Sequence, residues 1–162
     1  MHGHGNGGDL AQQAAGLFAG ERDPWANAAN LAALLFESLP DLNWAGFYFL
    51  RGGGLVVGPF QGRAACVRIA LGTGVCGTAA AERRTVIVRD VHEFPGHIAC
   101  DAASNSEIVV PLVADGKLIG VLDLDSPRVG RFGPADAALL EPLAQALVAA
   151  CDWRLAGIDG FG

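Results

Sequence analysis

Three of the four cysteines, Cys66, Cys76 and Cys100, fall within residues 66–125, together with the acids Glu107, Asp123 and Asp125. A free cysteine is most often a small buried hydrophobe, and that reading suffices for Cys151 on the apolar terminal helix. The other three are interleaved with Gly-rich turns, where packing alone gives no reason for a thiol. A thiolate is a nucleophile, and a sulfenic acid formed on it can be condensed to a disulfide by a second thiol. Cys100 is the candidate nucleophile. It lies in an irregular segment beside Gly96 and His97, at the expected start of a helical turn whose N-terminus would lower its pKa, with Asp101 acting in the opposite sense. Either Cys66 or Cys76 could resolve a sulfenic acid on Cys100 if folding brings it within disulfide reach. The three are separated by nine and then twenty-three residues, without the close ligand pairs of a zinc site. A mixed Cys/His site using His92 and His97 is the minority alternative, and the expectation is no metal.

The acids are the second signal. Asp123 and Asp125 stand two apart in a strand and therefore share a face. They close the apolar run 118–122, where a charge needs a partner or an opening to solvent. Glu107 begins the neighbouring strand. Three carboxyl groups beside a cavity suit a substrate ammonium, a cation, or a proton donor of raised pKa. The plain alternative, solvated charges at strand ends, fits Asp125 best. Trp44 and Tyr48, four apart in an early strand, share a face as core residues or as the wall of an apolar pocket. Gly72-Thr73-Gly74 lacks both the Gly-Lys-Ser/Thr signature and the full dinucleotide fingerprint, which sets nucleotide chemistry aside.

The chain that must position these groups has 162 residues, 51% of them hydrophobic, and a net charge of −6. That is enough for one buried core, and the acid excess disfavours nucleic acid as a partner. The opening MHGHGNGGDL has neither a basic nor an apolar signal region, and the longest apolar runs are too short to span a bilayer. The expectation is a cytoplasmic protein with no membrane partner, a disordered tail over 1–8 and a single domain over 9–162.

Within that domain a short helix spans 10–19 and a second starts at Asp23-Pro24, an N-cap acid followed by proline, and ends before Pro40. The period then changes to that of strands: 44–51, a glycine turn, 55–59, and 66–69. A short helix over 75–82 and a strand over 85–88 follow. The excursion 90–106 shows one helical turn near 99–103, and a stretch so irregular is usually functional. The apolar segments 107–113 and 118–125 form a hairpin about Asp115-Gly116. A long amphipathic helix spans 134–155. Helices, hairpins and a closing helix give an α+β domain, a mostly antiparallel sheet with helices packed against it.

The run 116–126, GKLIGVLDLDS, resembles the late hairpin of GAF domains, which are small-ligand modules of this architecture. The segments 58–62 (GPFQG), 65–69 (ACVRI), 72–78, 90–92 (DVH), 94–101 (FPGHIACD) and 104–111 (SNSEIVVP) resemble the free methionine-(R)-sulfoxide reductases, with all three thiols inside matching local sequence. The resemblance implies that Cys100 attacks the sulfur of free methionine sulfoxide and becomes a sulfenic acid. Cys66 would then resolve it, with Cys76 as relay or substitute, and a thioredoxin-type reductant would restore the thiols. It implies no cofactor. By the same matching Glu107, Asp123 and Asp125 fall at the family's substrate-recognising carboxylates, and Trp44 and Tyr48 at its pocket aromatics. A homodimer rests only on the habit of such domains to pair terminal helices. The competing readings are a GAF ligand or redox sensor without turnover, and the Cys/His metal site.

Overall fold

The computed structural model describes residues 7–97, 100 and 102–162. Residues 1–6, most of the tail expected to be disordered, lie outside it, and Gly7 and Gly8 open the first helix, α1 (Gly7–Phe18). Asp23 caps α2 (Pro24–Ser38): its carboxylate accepts from the N–H of Trp25 at 2.8 Å and of Ala26 at 3.1 Å, while Pro24 occupies a first-turn position that needs no donor. The strands follow as β1 (Trp44–Arg51), β2 (Gly54–Gly62) and β3 (Arg68–Ile69). Then come α3 (Gly74–Glu82), β4 (Val86–Val88) and a 3₁₀ turn, Val91–Glu93. The long hairpin β5 (Ser106–Ala114) and β6 (Lys117–Ser126) leads to α4 (Pro134–Ala150) and a last 3₁₀ turn, Trp153–Ala156. Asp115 and Gly116 both take positive φ, 52° and 74°, which suits the right-handed twist of the strands they join.

The six strands form one sheet in the order β3-β2-β1-β6-β5-β4, with every pairing antiparallel. The fold is therefore α+β, as the sequence pattern implies. Period-2 alternation gives the sheet two buried faces. Phe47, Phe49, Ile108, Leu122 and Leu124 point to one, under α1, α2 and α4. Trp44, Tyr48, Val109 and Val121 point to the other, together with Cys76 of α3. No helix among the described residues is long and apolar enough to cross a membrane.

Two local expectations are corrected. Cys66 is not on a strand: the segment 66–69 forms a ladder only at Arg68–Ile69, and Cys66 lies in the loop before it. Only Ile69 of those four residues is buried, so there is no face for a longer strand to cover. The last helix ends at Ala150, not at 155. Cys151 is extended, and the Asp152 side chain starts a new turn by accepting from Arg154 N–H at 3.2 Å, which brings Trp153 into the core. The helical turn expected near 99–103 falls partly outside the described residues, of which Ala102 and Ala103 form a turn.

Candidate active site

The face opposite the larger core carries the candidate site, and strand register builds its floor. Trp44 of β1 pairs with Asp125 of β6, which pairs with Glu107 of β5. In the next row of the same face Gly46 pairs with Asp123, and Asp123 with Val109. Gly46 is required there because a Cβ would sit 2.3 Å from the Cβ of Phe60. Phe60 stacks on Trp44 at 5.1 Å between centroids, and Trp44 stacks on Tyr48 at 5.8 Å. The two polar tips are tied down: Trp44 Nε1 donates to the carbonyl of Arg63 at 3.1 Å, and the Tyr48 hydroxyl donates to that of Cys66 at 3.2 Å.

Above this floor is a cavity of about 50 Å³, walled by the first turn of α3 and by His97 and Cys100. It has room for more than one water. Trp44, Tyr48, Cys76, Cys100, Glu107, Asp123 and Asp125 all line it, whereas Cys66, Cys151 and His92 are not among its lining residues. Cys66 and Cys100 are joined as a disulfide, with 5.3 Å between Cα atoms and a sequence separation of 34. Both are half-buried. Cys76 stays a free thiol, buried in the first turn of α3, and donates to Glu107 Oε2 at 3.8 Å. Cys151 is buried remote in sequence from these groups and accepts from Asn27 Nδ2 at 3.4 Å.

The electrostatics follow from crowding acids into a buried space. Burial pushes the Glu107 carboxyl well above its ordinary range, and neighbouring Asp123 adds to it. Burial does the same to Asp123, reinforced by Asp125. The Cys76 thiol is held up by burial and then by the charges of Asp123 and Glu107. All three groups are therefore held toward their protonated forms. Asp123 Oδ1 is buried with no hydrogen-bond partner among the described residues. His97 is shifted the other way, its pKa lowered by burial and by the nearby His92. Donor atoms of Cys76, Glu107 and Asp123 lie within 4.8 Å of one another, the set best placed for a cation among the described residues. It differs from the Cys/His set considered from sequence: Cys100 is oxidised, and His92 is bound to Asp90 at 2.9 Å.

A GAF domain model matches residues 26–152. The free methionine-R-sulfoxide reductase of Escherichia coli is 55% identical over 139 residues, covering 86% of this chain and 84% of that protein. The enzyme of the same name from Saccharomyces cerevisiae is 44% identical over 147 residues, covering 86% and 82%. This chain belongs to the free methionine-R-sulfoxide reductase family of GAF domains. The free methionine-R-sulfoxide reductase of Neisseria meningitidis, solved in complex with its substrate, superposes with a TM-score of 0.87 at 45% identity, covering 91% of this chain and 89% of that one.

For a member of the free methionine-R-sulfoxide reductase family, the geometry separates three thiols that spacing left equivalent: two are bonded and one is held on a carboxyl. Other parts of the site were not read from the sequence. Ser104 lines the cavity and accepts from Asn43 Nδ2 at 2.9 Å, and Phe60 backs Trp44. Single polar residues in loops carry no periodic signal that could have marked them. Asp101 lies outside the described residues.

Proposed function

We propose that this protein reduces free methionine (R)-S-oxide to methionine through Cys100 and Cys66. The observation that carries the mechanism is the pairing of these two sulfurs across 34 residues at the rim of a cavity floored by Glu107 and Asp123. Cys100 faces the cavity, so its thiolate attacks the sulfoxide sulfur there. Oxygen passes from the substrate sulfur to Cys100, methionine leaves, and Cys100 is a sulfenic acid. The Cys66 thiol then displaces that oxygen as water and forms the disulfide. A buried carboxyl of raised pKa can protonate the sulfoxide oxygen as the S–O bond breaks, and Glu107 and Asp123 take that part in this reading. Trp44 and Tyr48 offer the apolar wall for the thioether. The first-turn amides of α3, which have no intrahelical acceptor, offer donors for the substrate carboxylate.

Cys76 has a different part in this reading. Its sulfur is engaged with Glu107 and its thiol is disfavoured as a thiolate, so Cys66 resolves. A reducible sulfur pair at the cavity favours turnover over ligand sensing. A thioredoxin-type dithiol restores the pair, the setting is cytoplasmic, and two copies form a dimer whose mass light scattering would give. The test is reduction of separated free methionine sulfoxide epimers with dithiothreitol. The R epimer is consumed, Cys100→Ser abolishes turnover, and Cys66→Ser chiefly blocks cycling by thioredoxin. Equal rates for Cys100→Ser and the unaltered protein would reject the assignment.

A further inference from the structure

The two sulfurs of the disulfide have different surroundings. Cys100 lines the cavity, whereas Cys66, also half-buried, is not among its lining residues. Cys66 thus keeps some exposure that the cavity lining does not account for. Its inner side is held by the Tyr48 hydroxyl, which donates to the Cys66 carbonyl at 3.2 Å. Val67, the next residue, is 59% exposed, and Leu71, past the two residues of β3, is 40% exposed. These are large apolar side chains that folding has left in water. Strand β3 pairs only with β2 and ends the sheet, so its outer edge offers backbone donors and acceptors beside them.

We propose that the outer face of the Cys66 loop, with Val67, Leu71 and the edge of β3, is the docking surface for a dithiol reductant protein of the thioredoxin class, which attacks Cys66. The inference rests on the functional reading above and gives the disulfide two separate doors. Substrate meets Cys100 from the cavity, and reductant meets Cys66 from outside. A thiolate of the reductant bonds to the Cys66 sulfur, and the Cys66–Cys100 bond breaks with its electron pair on Cys100. The second thiol of the reductant, as thiolate, then displaces Cys66 and leaves the reductant oxidised. Cys66 takes up a proton, and Cys100 is left as the thiolate that the next substrate needs. An apolar contact with strand-edge pairing suits a partner that must bring its own protein surface, and a small thiol would make no use of it.

Two measurements test this. First, oxidised protein without substrate is mixed with a thioredoxin whose second active-site cysteine is serine, and the trapped mixed disulfide is mapped by peptide mass. The expected bond is to Cys66; a bond to Cys100, or no adduct where dithiothreitol reduces the protein, overturns the proposal. Second, Val67→Asp and Leu71→Asp are assayed with thioredoxin, its reductase and NADPH, and in parallel with dithiothreitol. KM for thioredoxin should rise about tenfold or more, with the dithiothreitol-supported rate and KM for methionine sulfoxide unchanged. An unchanged KM for thioredoxin, or an equal fall in both assays, overturns it. Glutathione alone matching the thioredoxin-supported rate would do so too. The trapping experiment involves no sulfoxide, so failure of the proposed activity and failure of this docking are separable.

Discussion

Glu107, Asp123 and Cys76 place three acidic groups in a buried cluster, and each is held toward its protonated form, first by burial. Their effect on stability has a definite sign. A carboxyl whose pKa is higher folded than unfolded holds a proton that the unfolded chain has released. Its stabilising balance is complete below the unfolded value, about 4.5 for a glutamate, and is lost as pH rises toward the folded value. The slope is at most about 1.4 kcal/mol per pH unit for each proton so held. Glu107→Gln keeps the shape and an acceptor for Cys76 but cannot ionise. Denaturant titrations between pH 5 and 8 should show unfolding free energy falling with pH in the unaltered protein and falling less steeply in Glu107→Gln, which becomes the more stable of the two at the alkaline end. Turnover should move the other way, with kcat down about 10²- to 10⁴-fold, the usual worth of a positioned acid. A variant that loses activity and keeps the same pH slope would show that Glu107 does not store the proton.

At the scale of elements, α3 sets the depth of the cavity because its first turn carries Cys76. It is seated by Gly77, where a Cβ would lie 2.4 Å from the carbonyl oxygen of Ala70 and 3.2 Å from the Gly72 nitrogen. These are backbone atoms and cannot swing aside. Helix propensity alone favours Gly77→Ala by about 0.8–1 kcal/mol, but forcing a methyl into a filled space costs about 1–3 kcal/mol. The clash wins, so Gly77→Ala should lower the unfolding free energy in a denaturant titration and lower kcat as Cys76 is displaced from Glu107. A gain in stability would mean that the 70–72 loop yields. The elements differ in how far the sequence disclosed them. The apolar runs of β5 and β6 and the Asp115-Gly116 turn made the hairpin legible, and with it the shared face of Asp123 and Asp125. The cap at Asp23-Pro24 disclosed α2 in the same way. Both are local signals, complete within a few residues. The position of Cys66 was not legible, because an apolar-looking run becomes a strand only where a neighbour buries it, and β2 pairs with just two of its residues. Long-range contacts such as Tyr48 to Cys66 leave no local trace.

For the whole molecule, the unequal faces of the sheet divide the labour between stability and chemistry. One face is packed by three helices into the larger core. The other carries α3 and two loops that roof the cavity, and the Cys66–Cys100 bond ties those loops together across 34 residues. A cross-link over a loop of that length restrains the unfolded chain by about 3 to 4 kcal/mol in the chain-entropy account. The catalytic cycle would therefore alternate between a tied and an untied form whose main core is the same. Reduction should lower Tm by about 10 °C, since 1 kcal/mol is worth about 2–4 °C in a chain of this size. The check is differential scanning calorimetry of oxidised and reduced protein beside Cys66→Ser. The variant should melt like the reduced form and show no shift with reductant, because neither Cys76 nor Cys151 takes part in the bond. A reductant-dependent shift that survives in Cys66→Ser would place a second disulfide in the fold and reopen the part assigned to Cys76. Equal Tm values for oxidised and reduced unaltered protein would mean that native strain offsets the restraint.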